Sequence, residues 1–327
     1  MNEYERENEE FRELLEAVGR LPQNIEPPRD LWPGIERRLR QRARRPRLIW
    51  VGLAAAAVLA GILVGRDYIL PSSWVISRLA GLPLVAQKPL AGIGALRVGD
   101  AVVTDDSSRA MIQVGAIGQV EVEPRSRLRL LGAKPSDHRL ALDVGEIYAR
   151  VSAPPRLFFV ETPSGVAIDL GCAYTLRVDD EGNGFLQVTA GAVEFAWSGK
   201  RAVVPINTSI QIRKGFGPCV PVVAGASPAF VAALNAFEFA HQDTALTQVL
   251  KLARSDDAIS LWHLLSRTVG PDRLAVYDRL TALVPLPEGV DRSAVLHLDQ
   301  QALDAYWNYL PHSVWLKDLK TKRLTRP

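Results

Sequence analysis

The sequence predicts a multi-part α+β chain: a single transmembrane helix, an all-β region built as a sandwich or short β-coil, and a C-terminal α-helical region. Three observations predict it. Leu48–Gly65 carries no charge, residues 92–223 alternate apolar and polar in short runs, and from Ser227 the apolar period lengthens to that of a helix. The implied parts are 1–47, 48–65, a linker over 66–91, the β region at 92–223 and the helical region at 224–327.

The run LIWVGLAAAAVLAGILVG has eighteen residues, and as a helix it covers about 27 Å, close to the hydrocarbon thickness of a bilayer. Its four Leu, two Ile and three Val favour insertion by on the order of 3–5 kcal/mol. Arg37, Arg38, Arg40, Arg42, Arg44, Arg45 and Arg47 precede it, against Arg66 and Asp67 after it. The positive-inside rule therefore puts residues 1–47 in the cytoplasm and the rest outside, an inner-membrane protein with its C-terminus extracytoplasmic. A cleaved signal peptide fits poorly, because the leader is long and acidic and LVGRDY lacks a small-x-small site. The arginine block beside such a run faces anionic lipid rather than nucleic acid. Ala57, Gly61 and Gly65 form a small-residue face suited to a homodimer.

Before the run, Phe11, Leu14, Leu15 and Val18 share one helix face among Glu and Arg, and Gly19 and Pro22 end it. LPQNIEPP reads as extended linker. Asp30 can cap a second helix with Pro33 in its first turn and Trp32, Ile35 and Leu39 on one face. Two such stripes cannot bury a core of their own. They are read as a docking element for a cytoplasmic protein, against the alternatives of lying on the inner leaflet or pairing in a dimer.

Over 66–91, Pro71, Pro83 and Pro89 suggest a loose linker. Leu140, Leu142 and Val144 then lead into Gly145-Glu146, followed by Ile147, Ala149 and Val151. Val166, Ile168, Leu170, Cys172, Tyr174, Leu176 and Val178 place a single long strand with one apolar face. DDEGNG implies a hairpin with Asn183-Gly184 at the positive φ angles, and Val193, Phe195 and Trp197 alternate after Gly191. Cys172 reads as a core thiol; a bond between it and Cys219 is left open.

The stretches VGDAVVTDDSSRAMIQV, IGQVEVEPRSRLRL, HRLALDVGEIYARV, FFVETPSGVAIDLGCAYTLRV and VTAGAVEF together resemble the FecR domain, over about residues 92–223. The resemblance rests on Gly145-Glu146, Val160-Glu161-Thr162-Pro163 and Leu170-Gly171-Cys172, the last with Cys where the pattern usually has Thr. It implies a transmembrane sensor that regulates a cytoplasmic sigma factor of the extracytoplasmic-function (ECF) type. PPRDLWPGIERRL more distantly resembles the segment before the membrane in some anti-sigma factors. Residues 1–47 hold no His or Cys, which excludes zinc there.

From Ser227, four stripes follow: Phe230, Leu234 and Phe237; Leu246, Val249 and Leu250; Ile259, Trp262 and Leu265; Leu274, Tyr277, Leu280 and Val284. Pro228 and Pro271 sit at helix starts, and Pro285 and Pro287 end one. No GxSxG, Walker, HExxH or kinase pattern is present, and the dispersed His241, His263, His297 and His312 form no ligand pair. No catalytic residue, metal or cofactor is therefore assigned. The sequence predicts a non-enzymatic single-pass signal regulator. Its inner helices engage a sigma factor, and its outer part reads an envelope protein or ligand of unknown identity. The rival reading is a membrane-anchored envelope binding or scaffold protein with no transcriptional role. Neither reading has direct nucleic-acid contact.

Overall fold

In the computed structural model, residues 73–240 and 244–310 are described. The chain runs through β1 (Ser73–Ala80), β2 (Leu84–Val85), β3 (Lys88–Pro89), β4 (Ile93–Arg97), β5 (Ala101–Val103), β6 (Arg109–Val114), β7 (Gly118–Val122), β8 (Arg127–Lys134) and β9 (Asp137–Val151). It continues with β10 (Phe158–Thr162), β11 (Gly165–Asp169), β12 (Cys172–Val178), β13 (Gly184–Ala190), β14 (Ala192–Trp197), β15 (Lys200–Pro205), β16 (Thr208–Arg213), β17 (Gly217–Pro218) and β18 (Val222–Val223). Helices α1 (Pro228–Ala240), α2 (Ala245–Leu252), α3 (Ala258–Arg267), α4 (Gly270–Leu283), α5 (Arg292–Leu296) and α6 (Gln300–Tyr309) follow.

Two sheets share one core. In the first, β4, β1, β6, β7, the end of β9, β12, β13 and β16 lie side by side, all antiparallel. In the second, β2, β5, β8, the start of β9, β10, β11, β14 and β15 do so, and β10 runs parallel to β9. Strand β9 belongs to both, and joins them into one mixed sheet of 18 strands. Ile112, Leu128, Leu140, Phe158, Tyr174 and Phe195 meet in the buried core.

The inward phase of the sequence flips at the glycine corners where one run of chain passes directly from sheet to sheet, because each sheet must present its own apolar face to the shared core. Along β9, Leu140 and Leu142 are buried before Gly145, and Ile147, Ala149 and Val151 after it. Gly145 has φ +102°, and a Cβ there would overlap Ser126. Ser126 Oγ accepts the Glu146 N–H at 2.9 Å, and Thr104 Oγ1 accepts the Ser126 N–H at 2.8 Å. The Gly-Glu pair is thus a corner whose close packing excludes a side chain.

Two more corners lie side by side. Gly171, φ +92°, separates β11 from β12, and Gly191, φ +68°, separates β13 from β14. A Cβ on Gly191 would overlap the Gly171 carbonyl. The single strand expected over Val166–Val178 is therefore two strands in different sheets. Ala167 and Asp169 face inward in β11, whereas Cys172, Tyr174 and Leu176 do so in β12. In the β12–β13 hairpin the positive φ falls on Gly182 rather than Asn183-Gly184, because Asp179 Oδ1 accepts the Asn183 N–H at 2.7 Å and closes the loop one residue earlier.

The expected fold class needs correction. Among the described residues no helix is long and apolar enough to cross a membrane, and the run Leu48–Gly65 on which a transmembrane helix was expected lies outside them. Nor are the β and helical regions separate bodies. Pro71–Pro327 is one compact unit, and a second core joins Leu170, Ala192 and Val220 to Phe230, Leu261, Leu265 and Tyr306. Within 66–91, read as linker, Ser73–Ala80 is instead a strand between β4 and β6, with Trp74 and Ile76 buried.

Gly145→Ala is expected to cost at least about 2 kcal/mol in denaturant unfolding, combining the left-handed strain with overlap against Ser126. Gly99→Ala is the control. Its φ is similar at +95° but nothing lies within 4 Å of the added carbon, so it should show the strain alone.

Candidate functional site

The residues assigned from sequence as a docking element, Phe11, Leu14, Leu15, Val18, Trp32, Ile35 and Leu39, lie outside the described residues, as do the seven arginines from Arg37 to Arg47. Within the described part, the polar groups that burial and pairing single out lie at the seam between β14–β15 and the helices.

Strand β15 pairs in register with β14. On its other side helix α3 supplies partners for the backbone. His263 Nε2 accepts the Val203 N–H at 3.1 Å, so the imidazole proton sits on Nδ1, which donates to the Ile259 carbonyl at 2.9 Å. Arg267 Nη2 donates to the Arg201 carbonyl at 3.1 Å, and Ser260 Oγ to the Pro221 carbonyl at 2.5 Å. An exposed strand edge is thereby covered by side chains of a helix. Trp262 and Trp307 close over the His263 ring, with centroids 5.0 and 5.4 Å away. Burial then holds His263 far below the usual histidine range, at about 3, with Arg267 adding to the effect against the Ile259 hydrogen bond.

Two buried carboxylates flank this contact. Glu238 on α1 lies 3.6 Å from Arg267 Nη1 and 3.7 Å from Lys200 Nζ. Glu194 on β14 lies 2.6 Å from Arg156 Nη2 and 3.6 Å from Arg201 Nη1. A buried charge is tolerated only with such partners, and removing one partner is costly. Nearby, Asp169 Oδ1 accepts the Gly171 N–H at 2.7 Å and Oδ2 accepts from the Cys172 thiol. Burial raises Asp169 to about 7, against the lowering by those two hydrogen bonds, and burial beside Asp169 pushes the Cys172 thiol far up. Cys172 is therefore an inert core thiol. Cys219 is also free and sits in the second core, so no disulfide joins the two.

Among the described residues no three His, Cys, Asp or Glu side chains stand close enough to hold a metal ion. What the seam does is fix the helices to the sheet through charge pairs and one neutral imidazole. Sequence reasoning passed over Asp169, Glu194, Glu238 and His263 as members of a site. The available signal was an acid placed inside an apolar pattern, in VAIDLG, AVEFAW and NAFEFA.

A protein-family model described as FecR protein matches residues 100–194, from β5 to β14. No curated relative matches the chain. Two crystal structures of a candidate anti-sigma factor from Parabacteroides distasonis, at 1.65 and 2.50 Å, are similar in part. Each is 15% identical and has a TM-score of 0.34; both alignments cover 41% of this chain, with 63% and 62% of the other. The matches thus span less than two thirds of those chains, and at that score they do not bear on function.

The His263 pKa has a consequence for stability. It is depressed from about 6.5 unfolded to about 3 folded, so its contribution is present above 6.5 and lost as pH falls towards 3. Stability of the wild type relative to His263→Gln is expected to fall across that window by up to ~1.4 kcal/mol per pH unit, read from urea unfolding at fixed pH. Asp169 titrates with the opposite sign, since its raised pKa gives stability below about 3.8 that is lost as pH rises through about 7; it is common to both proteins and cancels in the difference. The match over residues 100–194 bears out the resemblance to the FecR domain within the β region.

Proposed function

We propose that this chain is a signal regulator whose FecR-type body reads a state of the cell envelope and whose residues 1–47 hold a cytoplasmic ECF-type sigma factor. The observation that carries the reading is the FecR match over residues 100–194. The body around it supports a reader, because Pro71–Pro327 packs as one unit with the helices tied to β15 by His263, Arg267 and Glu238. The effector end is assigned to the two apolar stripes Phe11, Leu14, Leu15, Val18 and Trp32, Ile35, Leu39, which lack a core of their own. Localisation at the inner membrane, with residues 1–47 cytoplasmic, is part of the same proposal and rests on the arginines from Arg37 to Arg47 before the uncharged run.

The test is made in the native cell with the full chain. Phe11→Ser with Leu14→Ser, and Trp32→Ser with Ile35→Ser, are expected to abolish co-purification with the sigma factor and to change target-gene expression at least about tenfold, the effect of losing roughly 1.4 kcal/mol or more of binding. Protein level and the unfolding midpoint of the 71–327 body should stay as in the wild type. Unchanged expression in both double variants would sink the sigma-factor assignment.

Localisation is tested separately. The chain is expected in the membrane fraction after alkaline carbonate washing, and a C-terminal reporter active only outside the cytoplasm should be active. Recovery in the soluble fraction would refute that part.

A further inference from the structure

A groove of about 810 Å³ opens beside the paired corners at Gly171 and Gly191. That volume is in the range that accommodates a small organic ligand. Its construction follows from the corners. Gly191 stands so close to the Gly171 carbonyl that no side chain fits on it, and small residues, Gly171, Ala173, Ala190 and Gly191, form much of the floor. Tyr148 and the Pro154-Pro155 pair add larger apolar surface around it. Cys172 also lines the floor, but its thiol is committed to Asp169 and supplies no nucleophile.

The charge in this groove is Arg150. It is exposed, and its guanidinium stands 5.7 Å from the centre of the Tyr148 ring, with Nη2 3.5 Å from the phenol oxygen. Several guanidinium groups elsewhere on the β body meet carboxylates, Arg109 with Glu121 and Glu123, Arg129 with Asp143 and Arg139 with Glu161, while Arg177 and Arg213 lie over the rings of Phe185 and Phe239. Among the described residues Arg150 has no carboxylate partner. Its cross-strand neighbours, Gln119 and Ala173, are uncharged. The acid opposite Tyr148, Glu121, is already held by Arg109. An apolar groove therefore carries a positive charge that the fold leaves unanswered, and the complement to that arrangement is an apolar body with an anion.

We propose that the groove binds a small apolar molecule carrying an anionic group, its body against Tyr148, the prolines and the glycine–alanine floor and its anion on Arg150. The site is separate from the sigma-factor reading and stands without it.

The probe is 1-naphthoate, with neutral 1-naphthalenemethanol as its uncharged counterpart, titrated calorimetrically into the full chain. Saturable 1:1 binding of naphthoate is expected, at least about tenfold tighter than the alcohol. Arg150→Gln should remove that preference while leaving the alcohol's affinity unchanged, and Arg150→Lys should retain part of it. Ala190→Trp, at an exposed position, should block both ligands. Each variant must unfold at the wild-type midpoint, which separates loss of the site from loss of the fold. Absence of saturable naphthoate binding overturns the proposal, whether or not an acidic peptide binds in its place. Naphthoate affinity untouched by both Arg150→Gln and Ala190→Trp overturns it equally.

Discussion

Strand β9 holds fifteen residues and serves two sheets, and the body depends on how it turns between them. Before Gly145 it pairs with β8 and β10; after it, with β7 and β12. A strand shared in this way must rotate its apolar side without breaking its ladder, and an L-residue resists the backbone angle this requires. Glycine meets the requirement, and Ser126 uses the vacated space to bond the next amide. The Ser126 amide in turn reaches Thr104, whose hydroxyl bonds the Glu123 carbonyl at 2.7 Å. Backbone groups that the corner would leave orphaned are thus satisfied by two hydroxyls.

The helices answer a different constraint. An open β15 would present unpaired amides to any passing strand. His263 satisfies one of these positions as a neutral acceptor, which works only because burial keeps the ring unprotonated. Glu238 draws α1, β15 and α3 to a single point through Lys200 and Arg267. Pairs of this kind contribute little net stability against an apolar replacement, but they penalise any packing that leaves one member alone. The seam therefore specifies one arrangement of helices on sheet more than it strengthens it.

Much of this was legible in residue order, and the failures have physical causes. Period two placed β9, β12 and β14, and period 3.6 placed the helical stripes, because burial on one face writes itself directly into the pattern. The same reading ran Val166 to Val178 as one strand because Leu170, facing the second core, keeps the alternation intact through a corner. Pattern records that a residue is buried, not which core buries it. Strand β1 was hidden by the prolines around it and by the exposed Val75 between the buried Trp74 and Ile76, which blurs the alternation. Glu194, Glu238 and Asp169 looked like interruptions in apolar runs. Their partners lie 38, 29 and 3 residues away, at Arg156, Arg267 and Cys172, and the first two are not local information.

The paired corners also bring two environments within one residue of each other. Gly171 and Gly191 form part of the groove floor, while the adjoining Leu170 and Ala192 are buried in the second core. The Leu170 amide donates to the Ala192 carbonyl at 3.2 Å, which ties the two crossings to each other. That second core is the one containing Phe230, Leu261 and Tyr306, with the helices beyond it. The groove floor and the second core are thus separated by a single peptide unit on each strand, Leu170–Gly171 and Gly191–Ala192.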